Sequence, residues 1–212
     1  MSDGRTLAES HSVLDMVTRA LTEINTTAVA GLRQLAIHAG VVASPSGVVA
    51  FPAPSGAGKS TLTAASILAG LDYLSDEALI LTEKGCVVPY PKPLSLSAHT
   101  RRLLGLGSVQ WPGSDGEEVA MTAAELGGSI GREDSELRHV IVLSRGTHKP
   151  TLTRLPSVEI VSALLGHSFN HYLRPEAAYR LACRLAEKSE IWRLTFDHPR
   201  PAAELIKERL TA

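Results

Sequence analysis

The stretch FPAPSGAGKSTLTAAS, Phe51 to Ser66, decides how the rest of the chain is interpreted. It nearly matches the phosphate-loop pattern G-x-x-x-x-G-K-[ST], with Ala53 where the leading glycine of the pattern stands. An apolar run, residues 48–51, enters the loop, and an apolar helical pattern begins at Lys59. Because a strand, a glycine-bearing loop and a helix follow one another, the stretch predicts a nucleotide phosphate site rather than a plain turn.

Each residue type in this loop suits phosphate chemistry. Gly56, Ala57 and Gly58 are small enough to let main-chain N–H groups approach phosphate oxygens. Lys59 supplies a mobile positive charge for the outer phosphates, and Ser60 supplies a hydroxyl for Mg²⁺. An alanine at the loop entrance is acceptable where the backbone angles are ordinary.

An acidic pair, Asp76 and Glu77, follows the loop after one helix. It lies at the start or in the middle of the next strand-like run, residues 71–82. A carboxylate there can hold Mg²⁺ or accept a proton from an attacking hydroxyl, whereas a solvated acidic pair at a strand end is the plainer alternative. His38 lies inside an apolar strand pattern, where a hydrogen-bonded core histidine is common, but a hairpin can bring it near the loop.

The composition is that of an ordinary globular protein of 212 residues, with 44% hydrophobic residues, 20% charged residues and a net charge of -1. Neither a nucleic-acid nor a membrane partner is indicated, since no basic excess and no apolar run of about 20 residues occurs. The two cysteines, Cys86 and Cys183, are interpreted as reduced thiols of a cytoplasmic protein.

The order of elements predicts an α/β domain with a mixed sheet. An apolar helix face over residues 14–24 is followed by an interruption at residues 25–27. Two strands, residues 35–44 and 48–51, are expected to form a hairpin through a Pro-Ser-Gly turn. Strands at 137–145 and 151–155 are expected to pair with each other.

The later part of the chain carries weaker signals. A long, partly mobile loop is predicted over residues 111–134, and its stretch 113–134 suits a lid, a peptide-binding loop or a linker equally. Ser157 is a candidate cap for a helix, and Pro175 opens another helix that runs to about Lys188. Residues 166–172, GHSFNHY, either border the site or carry surface histidines.

Taken together, the run HAGVV…FPAPSGAGKST…YLSDEALIL resembles the catalytic domain of HPr kinase/phosphorylase. In that family a histidine, a loop of the form G-x-S-G-x-G-K-S and an acidic pair follow in this order with similar spacing. The resemblance covers residues 35–81 well. It implies a mixed-sheet P-loop domain like that of phosphoenolpyruvate carboxykinase, with residues 1–30 as an N-terminal helical segment and residues 31–212 as the kinase domain.

The resemblance also implies roles for individual residues. His38, Lys59 and Asp76 would be catalytic, with Asp76 as the base that accepts a serine proton and His38 orienting it. Ser60 and Glu77 would hold Mg²⁺. The residues that would cradle ATP are Ser55, Gly56, Ala57, Gly58, Lys59, Ser60 and Thr61.

The chain departs from the family in three respects. Glu77 replaces an aspartate, no E-x-R-G-x-G segment is present, and LPSVEIVSALLGHSFN stands in place of a P-G-R-N-like run, with Asn170 retained. These departures resemble the shortened relatives found in gene clusters for modified peptides, including lasso peptides. The family's enzymes often assemble into rings, so the expected partners are ATP, an acceptor and further copies of the chain.

Three functions are compatible with these features. The first is an ATP- and Mg²⁺-dependent serine kinase that acts on a peptide or small protein, a lasso-peptide precursor being one candidate. The second is a kinase for a small alcohol or amino acid, which needs the same site and a different acceptor pocket. The third is an ATP-binding regulator without turnover.

Overall fold

The structure of the chain is a computed structural model that describes residues 13–107, 118–133, 135–146 and 149–210. In this part of the chain the α-helices are α1 (Val13–Ala30), α2 (Lys59–Leu68), α3 (Ala98–Leu103), α4 (Glu159–Leu165), α5 (Pro175–Lys188) and α6 (Pro199–Leu210), and a short 3-10 helix spans His171–Leu173. The strands are β1 (Leu35–Ser44), β2 (Gly47–Pro52), β3 (Asp72–Ser75), β4 (Ala78–Leu81), β5 (Cys86–Val88), β6 (Leu94–Ser97), β7 (Glu118–Met121), β8 (Ser135–Arg145), β9 (Thr151–Arg154) and β10 (Glu190–Phe196).

The main sheet is mixed, as the sequence predicted. Its strand order is β2-β1-β4-β5-β8-β10-β9, and β2 also pairs with β8, so that β2, β1, β4, β5 and β8 form a closed ring. The pairs of β8 with β2 and with β10 are parallel, whereas the other pairs in this sheet are antiparallel. A separate sheet of two strands joins β6 and β7.

Strand β1 is shared along its length between different neighbours. Residues 39–44 pair with β2 on one side, and residues 41–43 pair with β3 on the other. Residues 35–38 pair with β4, which continues the line of β3 after an interruption at Asp76 and Glu77. The strand-like run predicted over residues 71–82 is therefore two strands, and the acidic pair occupies the break between them.

Helix α2 covers the sheet next to the loop that precedes it. It packs against α6 and against β1, and Gly40 of β1 allows the close approach, because a Cβ there would lie 2.2 Å from Thr63 Oγ1. Phe51, Leu62 and Ile206 are buried together in the cluster beneath these elements. The N-terminal half of α2 is thus packed closely against the middle of β1.

The hairpin of β1 and β2 and the boundaries of α5 confirm the sequence predictions. Other expectations were wrong. Helix α1 continues through residues 25–27, and β9 pairs with β10 instead of β8, because β10 inserts between them. Val158, not Ser157, precedes α4, and no side chain caps that helix.

The predicted loop over residues 111–134 is only partly a loop. Residues 118–121 form β7, which pairs with β6 and buries Val119 and Met121. Residues 111–117 and Asp134 lie outside the described residues. Cys86 and Cys183 are free cysteines in the structure, and no helix in the described part of the chain is both long and apolar enough to cross a membrane.

Candidate functional site

His38 stands at the point where β1 changes neighbours. On one side its main-chain N–H donates to His167 O over 2.8 Å, and its carbonyl oxygen accepts from the N–H of Ala53 at 3.3 Å. On the other side it is opposite Ala78 in β4, and the N–H of the next residue donates to Glu77 O at 3.2 Å. The backbone of this one strand therefore connects the loop entrance to the acidic pair.

Ala53, which replaces the leading glycine of the phosphate-loop pattern, is a buried residue with ordinary surroundings. It is 4% exposed, and its N–H is bound by His38 O. The positive φ angles in this region are recorded at Gly56 and Gly58, 78° and 97°, where glycine is the residue that adopts them most readily. The substitution is compatible with the loop that follows.

The loop of residues 54–58, called the glycine loop below, leads directly into α2. Gly58 precedes the first turn with φ of 97° and ψ of 15°, a left-handed conformation that favours glycine. No side chain caps the helix. The N–H groups of its first turn are consequently free of a side-chain acceptor, and the helix dipole adds a partial positive charge in the same place.

Lys59 lies across the glycine loop. Its side chain is buried, with the residue only 5% exposed, and Nζ donates to Pro54 O over 2.8 Å. Burial lowers the pKa of the Lys59 ammonium, while the charges of Asp76 and Glu77 oppose that change. A partly desolvated ammonium near two carboxylates is suited to bind a further anionic group.

Asp76 is a carboxyl group of the site with a strongly shifted pKa. The residue is 8% exposed, and burial raises its pKa to about 7, although hydrogen bonding to the Ser60 hydroxyl and the charges of Lys92 and Lys59 act in the opposite direction. Its Oδ1 is buried without a hydrogen-bond partner among the described residues. A buried acceptor oxygen of this kind is suited to take a proton or to contact a cation.

Glu77 points to a different partner. Its Oε2 lies 2.5 Å from Lys92 Nζ, and both side chains are partly buried. The Tyr73 hydroxyl, whose pKa is raised by burial, donates to the carbonyl oxygen of Lys92 at 2.7 Å and so fixes the backbone of that lysine. The acidic pair therefore consists of one carboxylate with a cationic partner and one that faces Ser60.

His38 is held as a neutral ring. Burial, followed by the charge of Lys59, lowers the pKa of its imidazole, and Glu77 only partly compensates. The ring lies 5.4 Å from that of Phe169, centroid to centroid, with an interplanar angle of 47°. A neutral imidazole in this position is available as a hydrogen-bond donor or acceptor at neutral pH.

The other predicted residues of the loop differ in their exposure and contacts. Ser55 and Gly56 are exposed, and Ala57 N–H approaches Pro54 O at 3.4 Å. Thr61 Oγ1 is 3.0 Å from Thr100 Oγ1, so this side chain is bound to α3. The structure thus brings the predicted residues of the loop, the acidic pair and His38 together beside residues 38 and 39 of β1.

Sequence reasoning missed two cationic side chains near this site. Lys92 follows β5 and reaches Glu77, and the Arg145 Nη2 at the end of β8 lies 4.0 Å from where a Cβ on Gly58 would be. No local motif marks either residue. The sequence placed His167 only as a possible border residue. Its carbonyl oxygen accepts the main-chain N–H of His38. Burial, followed by the charge of Lys59, lowers the pKa of the His167 ring.

The donor set matches Mg²⁺ better than a metal that prefers nitrogen or sulfur ligands. No group of three or more His, Cys, Asp or Glu side chains suited to a metal occurs among the described residues. The oxygens present are the Ser60 hydroxyl and the carboxylates of Asp76 and Glu77. Mg²⁺ is commonly held by one or two carboxylates together with water and substrate phosphates, so these residues fit it.

No protein-family model and no curated protein sequence matches the chain. Among solved structures, the chain is similar to the Hpr(Ser) kinase/phosphatase from Coxiella burnetii, with 14% sequence identity and a TM-score of 0.37. The alignment covers 82% of this chain and 96% of that chain.

Proposed function

We propose that the chain is an ATP- and Mg²⁺-dependent kinase that transfers the γ-phosphoryl group to a serine hydroxyl of a peptide or small protein. The observation that carries this proposal is the buried Asp76 carboxyl, with a pKa of about 7, facing Ser60 at the start of the helix that follows the glycine loop. A base with a pKa near neutrality is suited to accept a proton from a hydroxyl at physiological pH.

The nucleotide would be held by its phosphates at the glycine loop. Main-chain N–H groups from Ser55 to Thr61 and the N-terminus of α2 are the expected contacts, with Lys59 on the outer phosphates. The burial of Lys59 supports this role, because a partly desolvated ammonium interacts more strongly with an anion than an exposed one.

Ser60 and Glu77 would hold Mg²⁺, which would neutralise charge on the transferred group. Lys92 keeps the Glu77 carboxylate oriented through their 2.5 Å ion pair. Of the two acidic residues, Asp76 is left to act as the base, with its unpartnered Oδ1 available.

In the proposed reaction Asp76 takes the proton of the acceptor hydroxyl while that oxygen forms a bond to the γ-phosphorus. The bond from this phosphorus to the β,γ-bridging oxygen breaks, and ADP leaves with the electron pair. His38, kept neutral by burial, would orient the Asp76 carboxylate or the acceptor hydroxyl. A lasso-peptide precursor is one acceptor that the sequence resemblance suggests.

The test is phosphoryl transfer from labelled ATP to serine-containing peptides, with product identified by mass spectrometry. We expect Asp76→Asn to abolish transfer while ATP binding, measured by calorimetry, stays within about twofold of the parent. Transfer to free serine or simple alcohols but not to peptides would establish a small-molecule kinase instead. Stoichiometric ATP binding without ADP formation, with every acceptor tested, would identify a regulator and contradict the proposal.

A further inference from the structure

A cavity of about 370 Å³ lies beyond the N-terminal end of β1, away from the glycine loop. It is formed by the residues before β1, the end of β4 and the first turns of α5. Its floor is apolar, with Leu35, Leu81 and Leu181 all buried. A volume above about 300 Å³ is in the range of ligand-binding sites in proteins.

The rim of this cavity is strongly cationic. Arg33, Arg174, Arg180 and Arg184 line it, against the single carboxylate of Glu83. Arg180 is paired with Glu176 at 3.3 Å, but the ion pairs among the described residues do not include the other three arginines. Since the whole chain has a net charge of -1, this concentration of positive charge is local.

One of these arginines is fixed without losing its charge. Arg184 Nη2 donates to the main-chain oxygen of Glu83 over 2.8 Å. A carbonyl partner orients the guanidinium and leaves a full positive charge for a ligand, whereas a carboxylate partner would neutralise it.

The spacing of the cations indicates an extended ligand. Arg174 immediately precedes α5 and Arg184 lies within it, so about 15 Å of helix separates their Cα atoms. Side chains that begin this far apart along a helix can each meet a different anionic group of one ligand. An extended peptide, at about 3.3 Å per residue, covers it with four or five residues and can place several carboxylates along it.

The cavity is connected to the candidate active site by one short segment. Asn170 lines the cavity, is buried, and binds the main chain at Leu32, Gln34 and Ala36. Three residues earlier, His167 O accepts the N–H of His38. From Leu35 at the cavity to His38 at the site is three residues of β1, about 10 Å.

We propose that this cavity is the docking site for an acidic segment of the acceptor peptide, in which leucine-like side chains enter the floor and Asp or Glu side chains meet the arginine rim. The proposal rests on the proposed kinase function and specifies its substrate. About three further extended residues would carry the chain from the cavity to His38, so the phosphorylated serine would lie close to the acidic segment in sequence.

The first test measures binding without catalysis. The probe is a fluorescein-labelled peptide, Glu-Leu-Asp-Glu-Leu-Glu-Gly, which contains no hydroxyl residue, and affinity is measured by fluorescence anisotropy in the absence of ATP. We expect at least tenfold weaker binding to the double variant Arg174→Glu/Arg184→Glu and to the neutral double variant Arg33→Gln/Arg174→Gln. The matched control is Arg193→Glu, an exposed arginine of β10 outside the cavity, which should bind like the parent.

Several outcomes would overturn the proposal. One is equal affinity of the double variants and the control, with thermal unfolding showing that all are folded. Another is displacement of the peptide by inorganic phosphate at an equal concentration, which would indicate a small-anion site. A third is light scattering that shows a parent dimer and monomeric double variants, because a second copy of the chain would then occupy the cavity.

A second measurement separates this proposal from the proposed function. With a serine placed three residues from the same acidic sequence, the double variants should raise KM at least tenfold and leave kcat within about twofold. Peptide binding that depends on the arginines, without phosphoryl transfer by the parent, would refute the kinase function but retain the docking site. Transfer with unchanged KM in the double variants would refute the docking site alone.

Discussion

The carbonyl oxygen of His38 accepts the main-chain N–H of Ala53 over 3.3 Å. This bond ties the residue that precedes the glycine loop to His38, and the N–H of the next strand residue, Ala39, donates to Glu77 O. The entrance of the loop is therefore positioned by the sheet, and the side chain at position 53 has to fit a buried site.

We predict that Ala53→Gly lowers the free energy of unfolding by about 1 kcal/mol, because glycine gains chain entropy in the unfolded state and the buried methyl group is lost. ATP affinity should change by less than about twofold. Urea unfolding and calorimetry are the measurements. A tenfold gain in ATP affinity would show instead that Ala53 impairs the loop.

The buried Asp76 predicts a pH-dependent stability. Its pKa is raised to about 7 in the folded chain from 3.8, so its contribution to stability is complete below about pH 4 and is lost as pH rises through about 7. Relative to Asp76→Asn, the parent should lose about 2–3 kcal/mol of unfolding free energy between pH 5 and pH 8. Urea unfolding at both pH values tests this, and parallel pH profiles would contradict it.

The positive charge of Lys92 should influence the pKa of Asp76, the proposed base. Because Lys92 lowers the pKa of Asp76, Lys92→Met should raise it and move the rising limb of the kcat/KM profile about one pH unit upward from about pH 7. The exposed Lys188, far along α5, provides the control variant Lys188→Met. An unchanged midpoint in Lys92→Met, with reduced activity at every pH, would indicate a purely structural role.

Arg145 is predicted to contact phosphate. Its Nη2 lies 4.0 Å from the Cβ position built on Gly58, so a small movement brings it to the mouth of the glycine loop. We expect Arg145→Gln to weaken ATP binding about tenfold, the usual scale for a charge-assisted hydrogen bond. Calorimetry on Arg193→Gln, which should bind normally, is the comparison, and equal affinities would exclude the contact.

The packing of α2 on β1 gives a prediction that does not depend on function. Gly40→Ala places a methyl group 2.2 Å from Thr63 Oγ1 and should cost about 1–3 kcal/mol of stability. Thr63 Oγ1 is buried without a hydrogen-bond partner among the described residues, so Thr63→Ala removes the obstacle and no bond. The double variant should recover most of the loss in urea unfolding, and additive losses would refute this explanation.

Local patterns were sufficient for the elements around the site. The apolar runs of β1 and β2 and the Pro-Ser-Gly turn determine a hairpin within 18 residues, and the helix start at Lys59 follows from the glycine loop. The predicted partner of β9 was wrong, because the true partner depends on where β10, about 40 residues later in the chain, enters the sheet. Periodicity describes one strand and contains no information about its neighbour.

Local sequence patterns likewise predicted only part of the candidate site. Asp76, Glu77 and His38 were predicted as site residues from their order and spacing, and the structure places them near one another along β1. Lys92 and Arg145 were not, because each reaches the site from an element that is distant in sequence and carries no motif. The helix interruption expected at residues 25–27 failed because an asparagine and two threonines only weakly oppose a helix that already packs Val29.

The sharing of β1 among several neighbours has a consequence for motion at the site. His38 donates its amide to the segment at His167 on one side of the strand, and Ala39 donates to Glu77 on the other. Displacing this part of the strand as a whole would break bonds on both sides, so we expect its amides to exchange slowly. The glycine loop has exposed residues and few such bonds, so it can fluctuate locally. We therefore expect β1 to stay rigid, and motion of the glycine loop to set the rates at which a ligand enters and leaves.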